Sequence, residues 1–481
     1  MGSRESCTCT PGLLYSLIKI KTDWVGKGRK IMPVNTEAFL EHLAVLAAAN
    51  NYFPPELYER YNVKRGLRNP DGTGVLVGLT KIGEVHGYIL DKGEKIPDEG
   101  RLLYRGIDVK EIVQGFLREN RPGFEEVCYL LLFSDLPKKE ELDNFSKILG
   151  KKRALPNGFV ENMILKAPSP DVMNKLARSV LASYSYDPSP EDLNIKNVVR
   201  QCIELIARFP VMVAYGYQAK AHYYDNKSLY IHFPREDLNT AENFLYMIRP
   251  DNKYTPLEAQ VLDLSLVLHA EHGGGNNSTF TVHVVASTGT DIYSVMAAAV
   301  GSLKGPKHGG ANIKVMEMME NLKNNVRDWR DEEEIARYLE KILEKKAFDG
   351  SGLIYGFGHA VYTLSDPRAV LLKDKAIELA KEKGLEEELQ LYLTLEKLVP
   401  QVFASRKKTN KVIAPNVDFY SGFIYQMLNI PKELYTPLFA VARIAGWCAH
   451  FLEELISGGR IIRPAYKNVM ERRNYIPLSE R

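Results

Sequence analysis

The stretch HAEHGGGN at residues 269–276, followed by GPKHGGAN at residues 305–312, decides how we expect this chain to fold. The sequence TPLE at 255–258 predicts a helix ahead of the first motif, because it forms a capping box with proline at the first helical position. Three glycines then end the helix, and the apolar stripe along it continues to His272. A polar ring is therefore predicted at the end of a buried helix face, where an unpaired polar group is costly.

The second motif places His308 between two further predicted helices. Small side chains at 297–301 favour close packing of the helix before it, and residues 313–322 predict the helix after it. The positive end of a helix dipole disfavours a second positive charge, so we expect this imidazole to be neutral. A neutral imidazole can donate a hydrogen bond to a developing enolate. The alternative is a turn histidine whose ring binds a backbone carbonyl.

The composition is that of an ordinary globular protein. With 481 residues, of which 45% are hydrophobic and 26% charged, the chain can bury a large core and form more than one domain. A formal net charge of +3 does not favour nucleic-acid binding, and no apolar run is long enough to span a membrane. Five scattered cysteines favour a reducing compartment, so we expect a cytoplasmic protein. Residues 1–32 are predicted to be a flexible extension.

The fold class predicted is all-α with a small β region near the N-terminus. Short strands are expected at residues 75–78 and 85–89, with a turn at 91–93. From about residue 104 onward, almost every segment has helical spacing of its apolar residues. No repeat of 20–50 residues is present, which argues against a solenoid.

A third motif, GFGHAVY at 356–362, is followed by Asp366, Pro367 and Arg368. The aspartate is predicted to cap a helix that starts at the proline and runs to about Gly384. The arginine then lies in the first helical turn, where a cation opposes the helix dipole. An anion bound between this arginine and the helix end would make the arrangement favourable.

Two further positions carry charge into apolar surroundings. Asp418, within PNVDFYSG at 415–422, is interpreted either as a helix cap or as a catalytic base. Arg443 lies on a largely apolar final helix, where a guanidinium needs a counter-charge. A bound dicarboxylate would supply that charge, and an internal partner such as Glu453 or Glu454 is the alternative.

Taken in this order, the motifs resemble those of the citrate synthase family. The resemblance runs from about residue 74 to residue 464 and includes YRGID at 104–108. It implies a two-domain, mainly helical homodimer that closes over its substrates. The large domain would comprise residues 33–309 and 433–481, and the small domain residues 310–432.

The resemblance also implies the chemistry. An aspartate removes a methyl proton from acetyl-CoA, one histidine stabilises the enolate, a second polarises the carbonyl of oxaloacetate, and citryl-CoA is hydrolysed. By motif match, Asp418 is the base, His308 stabilises the enolate and His359 polarises the carbonyl. The residues implied in oxaloacetate binding are His272, Arg368, Arg443 and Arg463, the last from a partner subunit.

For CoA, the resemblance implies backbone contacts at Tyr355, Gly356 and Gly358. This loop contains no lysine or arginine, so the motif does not identify which basic residues bind the CoA phosphates. CoA would be a substrate thioester, and neither a tightly bound cofactor nor a metal is expected. One alternative is a 2-methylcitrate synthase, which uses propionyl-CoA with the same motifs. The other is a metal hydrolase built on His269 and His272, although their spacing lacks the usual metalloprotease pattern.

Overall fold

The computed structural model describes residues 36–91, 94–407, 412–457 and 459–481. The predicted extension at residues 1–32 lies outside them. Contacts divide the chain into two compact units, one of residues 1–77 with 465–481 and the other of residues 78–464. The division into a large and a small domain that the family resemblance implies stays a prediction.

The smaller unit contains short helical elements. Its described helices are α1 (Thr36–Asn50), α2 (Pro55–Arg60) and the 3₁₀ turns Arg65–Leu67 and Leu478–Glu480. Along α1, Phe39, Leu40, Leu43 and Leu46 are all exposed. Within this unit the Lys467 ammonium lies over the Tyr61 ring, 5.7 Å from its centroid.

The larger unit is mostly helical. Its described α-helices are α3 (Val109–Arg118), α4 (Phe124–Phe133), α5 (Lys139–Lys152), α6 (Val172–Ser183), α7 (Ile195–Asp225), α8 (Thr240–Ile248), α9 (Pro256–His269), α10 (Asn277–Ala286), α11 (Ile292–Lys304), α12 (Ala311–Asn325), α13 (Glu332–Leu343), α14 (Pro367–Lys383), α15 (Glu386–Lys407), α16 (Val417–Met427) and α17 (Tyr435–Ser457). Single turns of other helix types are Val160–Leu165, Tyr184–Tyr186 and Lys432–Leu434. No helix in the described part of the chain is both long and apolar enough to cross a bilayer.

The β region is one antiparallel sheet, in the order β1 (Gly83–Asp91), β2 (Glu94–Tyr104) and β3 (Ile107–Asp108). The predicted strand at 85–89 is confirmed as part of β1, but the one at 75–78 is wrong. These residues run as irregular backbone without a partner strand, and Leu76 is 86% exposed. A short apolar segment becomes a strand only when a neighbour supplies its hydrogen bonds and a buried face.

The sheet lies directly against the turn that carries the third histidine motif. A Cβ added at Gly87 in β1 would come within 2.7 Å of the Tyr362 Cα and the Val361 carbonyl oxygen. The Thr363 hydroxyl donates a hydrogen bond to the Gly87 carbonyl. Only glycine permits so close a backbone approach, and the sheet therefore holds this turn in place.

The centre of the larger unit is α17, which is buried from Tyr435 to Leu452. It packs against α4, α7, α9, α10 and α11. Trp447 in its middle is fully buried, and its indole N–H donates to the Ser278 hydroxyl at 3.1 Å. A helix surrounded on all sides can place a polar side chain such as Arg443 only in a site built for it.

Candidate active site

Three aromatic side chains from two turns meet in the larger unit. The ring centroids of His272 and His359 lie 5.1 Å apart, and Tyr362 stacks on His359 at 4.6 Å. His272 follows the end of α9 at His269, so the helix stops three residues earlier than the sequence pattern predicts. The His272 Nε2 atom and the Tyr362 hydroxyl are buried without a hydrogen-bond partner in the described structure. Such atoms are suited to a polar ligand.

Burial and nearby positive charge keep His272 neutral. Burial is the largest cause that holds the pKa of His272 well below its usual value, and the charge of Arg368 is the next. Its neighbour His359 is oriented by the backbone, because its Nδ1 accepts hydrogen bonds from the N–H groups of Val361 and Tyr362, both at 3.1 Å. An Nδ1 that accepts two bonds carries no proton, so the Nε2 of His359 carries it and can donate.

Arg368 forms a buried, bidentate ion pair with Asp366. Its Nε and Nη2 donate to the two carboxylate oxygens at 3.0 and 2.8 Å, and both side chains are almost fully buried. Asp366 also caps α14 through the Arg368 N–H, as the sequence predicts, and α14 ends at Gly384 in the left-handed region with φ of 65°. A second oxygen of Asp366 accepts from the Val417 N–H at 3.2 Å. One carboxylate thus fixes both the arginine and the start of α16.

Asp418 lies in the first turn of α16, and it is not the cap. Asn416 caps the helix by accepting from the Asp418 N–H at 3.0 Å. The Asp418 carboxylate accepts no hydrogen bond from the described residues. Burial raises the pKa of this carboxyl to about 6, with Arg368 opposing and Asp366 adding to the rise. A carboxylate that the helix does not use, with a raised pKa, has the properties of a general base.

Arg443 is fully buried on α17 and has two unused nitrogen atoms. Its Nε donates to the His269 carbonyl at 2.7 Å, while Nη1 and Nη2 have no partner among the described residues. Its guanidinium carbon lies 4.7 Å from the centroid of the Phe439 ring. Burial lowers the pKa of Arg443, and the negative charge of Glu271 opposes that change; within the described residues Arg443 forms no ion pair with Glu453 or Glu454. Buried, unpaired guanidinium nitrogens favour an anionic ligand.

His308 lies in the turn between α11 and α12, with its ring 6.4 Å from that of Phe439. Its Nε2 is 3.3 Å from the Ser278 hydroxyl, which also accepts from Trp447. Burial, and to a smaller extent the charge of Arg443, lower the pKa of His308 to about 4. The neutral imidazole is thus supported, with burial and the charge of Arg443 as its causes.

The predicted CoA loop is joined to the segment that carries Asp418. Asn416 donates through its backbone N–H to the Gly356 carbonyl at 2.9 Å and through its side chain to the Gly358 carbonyl at 3.0 Å. The Gly358 N–H donates to the carbonyl of Ala414 at 2.8 Å, and the Tyr355 hydroxyl donates to Asp349 at 2.8 Å. These hydrogen bonds fix the loop against the start of α16. The contacts of the loop with CoA stay a prediction.

Arg463 is the predicted site residue that the structure does not bring to the others. It is exposed in an extended segment, and it forms no ion pair or hydrogen bond with the residues that the structure describes. The segment is held at Ile462, whose N–H donates to the Ser287 hydroxyl at 3.1 Å. Within the described residues, no three His, Cys, Asp or Glu side chains form a group that could hold a metal ion.

Comparison with known proteins gives the family. The sequence profile described as "Citrate synthase, C-terminal domain" matches residues 71–465, most of the chain. The chain belongs to the citrate synthase family. It is similar to the citrate synthase of Synechocystis, with 36% identity over 80% of this chain and 89% of that protein. It is also similar to 2-methylcitrate synthase 1 of Corynebacterium glutamicum, with 32% identity over 87% of this chain and 98% of that protein.

Solved citrate synthase structures share the fold. The enzyme of Pyrobaculum aerophilum has a TM-score of 0.70 and 32% identity over 85% of this chain and 94% of its own. That of Thermoplasma acidophilum, a ternary complex with carboxymethyl coenzyme A and oxaloacetate, has a TM-score of 0.70 and 26% identity over 87% and 99%. The predicted all-α citrate synthase fold with a small β region is confirmed, and so is the predicted enzyme class, that of a citrate synthase.

Several residues of this citrate synthase site were missed by the sequence reasoning. Asp366 was predicted only as a helix cap, and its ion pair with Arg368 could have been anticipated, since a buried arginine needs a counter-charge. Tyr362 stood inside a quoted motif without a role. Glu271 gave no local signal for its interaction with Arg443, because the two residues are distant in the sequence. Phe439, by contrast, lies one helical turn before Arg443 on the same helix.

Proposed function

We propose that the unpaired polar atoms around Arg443 bind oxaloacetate. The observation that carries the proposal is that Arg443 Nη1 and Nη2 and His272 Nε2 are buried without partners. A dicarboxylate would satisfy the guanidinium, and a keto oxygen could accept from the Nε2–H of His359. Arg368 would hold the other carboxylate while remaining paired with Asp366. The Thermoplasma acidophilum relative binds oxaloacetate, which supports this assignment.

The carbon–carbon bond would form through an enolate of acetyl-CoA. Asp418 takes a proton from the methyl group, and the neutral imidazole of His308 donates a hydrogen bond to the thioester oxygen as charge develops there. A carboxylate alone is too weak a base for this proton, so the donor must lower the barrier. The enolate carbon attacks the keto carbon of oxaloacetate, whose oxygen takes the proton of His359. Water then cleaves the thioester of citryl-CoA, releasing CoA and citrate.

We propose that the acyl-CoA reaches this site along the loop of Tyr355, Gly356 and Gly358. The loop is joined by hydrogen bonds to the backbone just before Asp418, so a thioester lying along it would approach the base. The relative from Thermoplasma acidophilum holds a CoA analogue. In this proposal CoA is a substrate, and no tightly bound cofactor takes part. Of the candidate lysines for the CoA phosphates, Lys407 is exposed at the end of α15, whereas Lys408 and Lys411 lie outside the described residues.

We propose a homodimer in which Arg463 of each chain completes the oxaloacetate site of its partner. Arg463 is exposed in an extended segment and lacks an ion pair within its own described chain. The exposed apolar side chains of α1 would be covered by such an association. A cytoplasmic location belongs to the same proposal, supported by three free, buried cysteines at positions 128, 202 and 448.

Thiol release from acetyl-CoA and from propionyl-CoA, each with oxaloacetate and a chelator, tests the reaction and its acyl preference together. We expect acetyl-CoA to be used with the higher kcat/KM. A higher value for propionyl-CoA would assign the chain to the 2-methylcitrate synthases, and the two acyl groups differ by only about 1–3 kcal/mol of pocket energy. Activity that the chelator abolishes and zinc restores would contradict the proposed mechanism.

A further inference from the structure

A line of four titratable side chains lies beside Arg443 and has no part in the steps above. His283 Nδ1 is 2.8 Å from Glu454 Oε2, and His283 Nε2 is 3.1 Å from His450 Nδ1. His450 Nε2 is in turn 3.1 Å from Glu271 Oε1. We call these residues the Glu–His–His–Glu series. Its outer end is partly exposed, while His450 and Glu271 are completely buried.

The three contacts of the series need three protons. An ionised carboxylate can only accept a hydrogen bond, and a neutral imidazole has one N–H and one lone pair. With both glutamates ionised, His283 must donate from Nδ1 to Glu454 and His450 must donate from Nε2 to Glu271. Neither ring then has a proton for the contact between them, and two lone pairs would face each other at 3.1 Å.

One additional proton resolves this conflict and gives the two rings a single shared positive charge. If that proton lay on a carboxylate instead, the three hydrogen bonds of the series would still contain three protons. The low pKa of the inner carboxylate, Glu271, indicates that the additional proton lies on the imidazole rings. Burial alone would raise the pKa of Glu271, but His450, Arg443 and the Gly273 N–H together bring it below its usual value.

Charged groups on the neighbouring elements support the same proton count. Glu453 Oε2 lies 3.8 Å from His450 Nδ1, and its other oxygen accepts from the Lys81 N–H at 2.7 Å. The Arg105 guanidinium, bound to the Leu131 carbonyl, is close enough to interact with Glu453 and Glu271.

The remaining groups complete the cluster. Arg443 faces Glu271 from α17, and the Tyr104 hydroxyl, whose pKa is raised by burial, donates to backbone carbonyls beside it. The cluster therefore contains three glutamates and two arginines. One shared positive charge on the histidines makes the cluster neutral, which a buried group of charges strongly favours.

The inner end of the series controls the surroundings of Arg443. Glu271 Oε2 has no hydrogen-bond partner, and only the lack of a side chain at Gly446 leaves room for it, since an added Cβ would collide with this oxygen. Without the shared proton, the full charge of Glu271 would attract the guanidinium and repel an incoming anion. With it, Glu271 is neutralised from the other side, and Arg443 Nη1 and Nη2 stay available.

We propose that the Glu–His–His–Glu series holds one proton more than its two neutral imidazoles would carry, and that this proton sets the affinity of Arg443 for a dicarboxylate. His283 and His450 are then positioning residues that act through Glu271. The second half of this inference rests on the proposed role of Arg443 in oxaloacetate binding. By linkage, oxaloacetate binding and retention of the proton favour each other.

The proton count is measured without any substrate. In protein carrying ¹⁵N-labelled histidine, spectra at about pH 7 distinguish protonated from unprotonated ring nitrogens. The signals of the two rings are assigned by their loss in His283→Gln and, where it folds, His450→Gln. We expect three protonated nitrogens over the two rings in wild type. Only two protonated ring nitrogens would overturn the proposal, because both rings would then be neutral.

The effect on binding is measured by calorimetry with oxaloacetate. His283→Gln removes the ionisable ring and should weaken oxaloacetate by about tenfold, the effect of about one buried charge, while kcat changes less than about twofold. His283→Arg supplies a fixed charge and should restore the affinity. The matched control is His222→Gln, an exposed histidine bound to the Lys227 carbonyl, which should change neither value.

The outcomes separate the two proposals. Unchanged affinity in His283→Gln, or equal weakening in His283→Gln and His283→Arg, would show that the ring serves packing alone and would overturn the inference. A wild-type protein that has three ring protons but binds no oxaloacetate would overturn the proposed function and, with it, the role given to Arg443.

Discussion

At the scale of single residues, Asp418 and His308 have opposite and complementary perturbations. Burial raises the pKa of Asp418 to about 6 and lowers that of His308 to about 4, so near neutral pH the first is a carboxylate and the second a neutral imidazole. Two groups whose protonation states are set apart in this way are suited to act as base and hydrogen-bond donor on one substrate.

Removing either group should therefore reduce turnover and leave oxaloacetate binding intact. We expect Asp418→Ala and His308→Ala each to lower kcat by about 10²- to 10⁴-fold, because both act on the acyl group. Oxaloacetate affinity, measured by calorimetry, should stay within about threefold of wild type. His222→Ala is the control for loss of an exposed histidine. Near-normal turnover in Asp418→Ala would show that the base lies elsewhere.

The pH dependence follows from the same carboxyl. The base must be ionised, and the raised pKa of about 6 means that its active form is lost as the pH falls through that value. The value of kcat/KM for acetyl-CoA should then fall about tenfold per pH unit below about pH 6. His308, with its pKa of about 4, adds no change in this range. A profile that stays level down to about pH 5 would contradict the raised pKa or the role of Asp418.

At the scale of elements, the start of α14 combines a local helix cap with a contact to a distant helix. Its N-cap residue Asp366 also forms the buried pair with Arg368 and binds the backbone of α16 through Val417. A cap interaction depends on oxygen atoms alone, whereas the ion pair depends on charge. Replacing the carboxylate of Asp366 with the amide of asparagine therefore separates the two contributions.

Asp366→Asn should keep the cap and break the pair. Asparagine caps helices about as well as aspartate, but the buried Arg368 would lose its hydrogen-bonded counter-charge, and breaking such a pair costs about 3–5 kcal/mol. We expect a large fall in the free energy of unfolding, measured by urea denaturation. The control is Asp331→Asn, since Asp331 caps α13 with a half-exposed side chain, and its change should stay below about 1 kcal/mol. Equal changes in both variants would show that capping is the whole contribution.

Elements were predictable where their signals are local. The start and end of α14 and the capping box of α9 follow from residues within one helical turn, and the structure confirms them. The strand expected at 75–78 failed because strand formation depends on a partner elsewhere in the chain.

The same contrast holds in the site. His272, His359 and Arg368 could be chosen from motifs, and the structure brings them together. Glu271 beside Arg443 could not be chosen, because helix packing creates that contact and no short pattern encodes it. Sequence reasoning thus supplied the polar groups, and folding supplied the neighbours that set their charge.

At the scale of the whole molecule, the proposed dimer makes a prediction about mixtures. If Arg463 serves the partner's site, Asp418→Ala and Arg463→Ala inactivate by different routes. A heterodimer of the two variants would have one site with both changes and one with neither. Activity should therefore reappear on mixing, and about half of the sites in such heterodimers should be intact.

Subunit exchange must be shown by mass for this test, and a mixture of Asp418→Ala with His308→Ala is the control. In the control, each changed residue serves the site of its own chain. Each site of the heterodimer therefore carries one change, and no intact site can form. If exchange is complete and the first mixture remains inactive, Arg463 serves its own chain.

The shared carboxylate of Asp366 has a consequence for the order of events. Arg368 stabilises ionised Asp418, and it is also the arginine assigned to a substrate carboxylate. In the proposed mechanism, a substrate carboxylate that draws on the same positive charge would remove part of the stabilisation of ionised Asp418 and make it a stronger base. The acetyl group would then be deprotonated fastest once oxaloacetate is bound, and exchange of its methyl hydrogens with solvent would be slow without oxaloacetate.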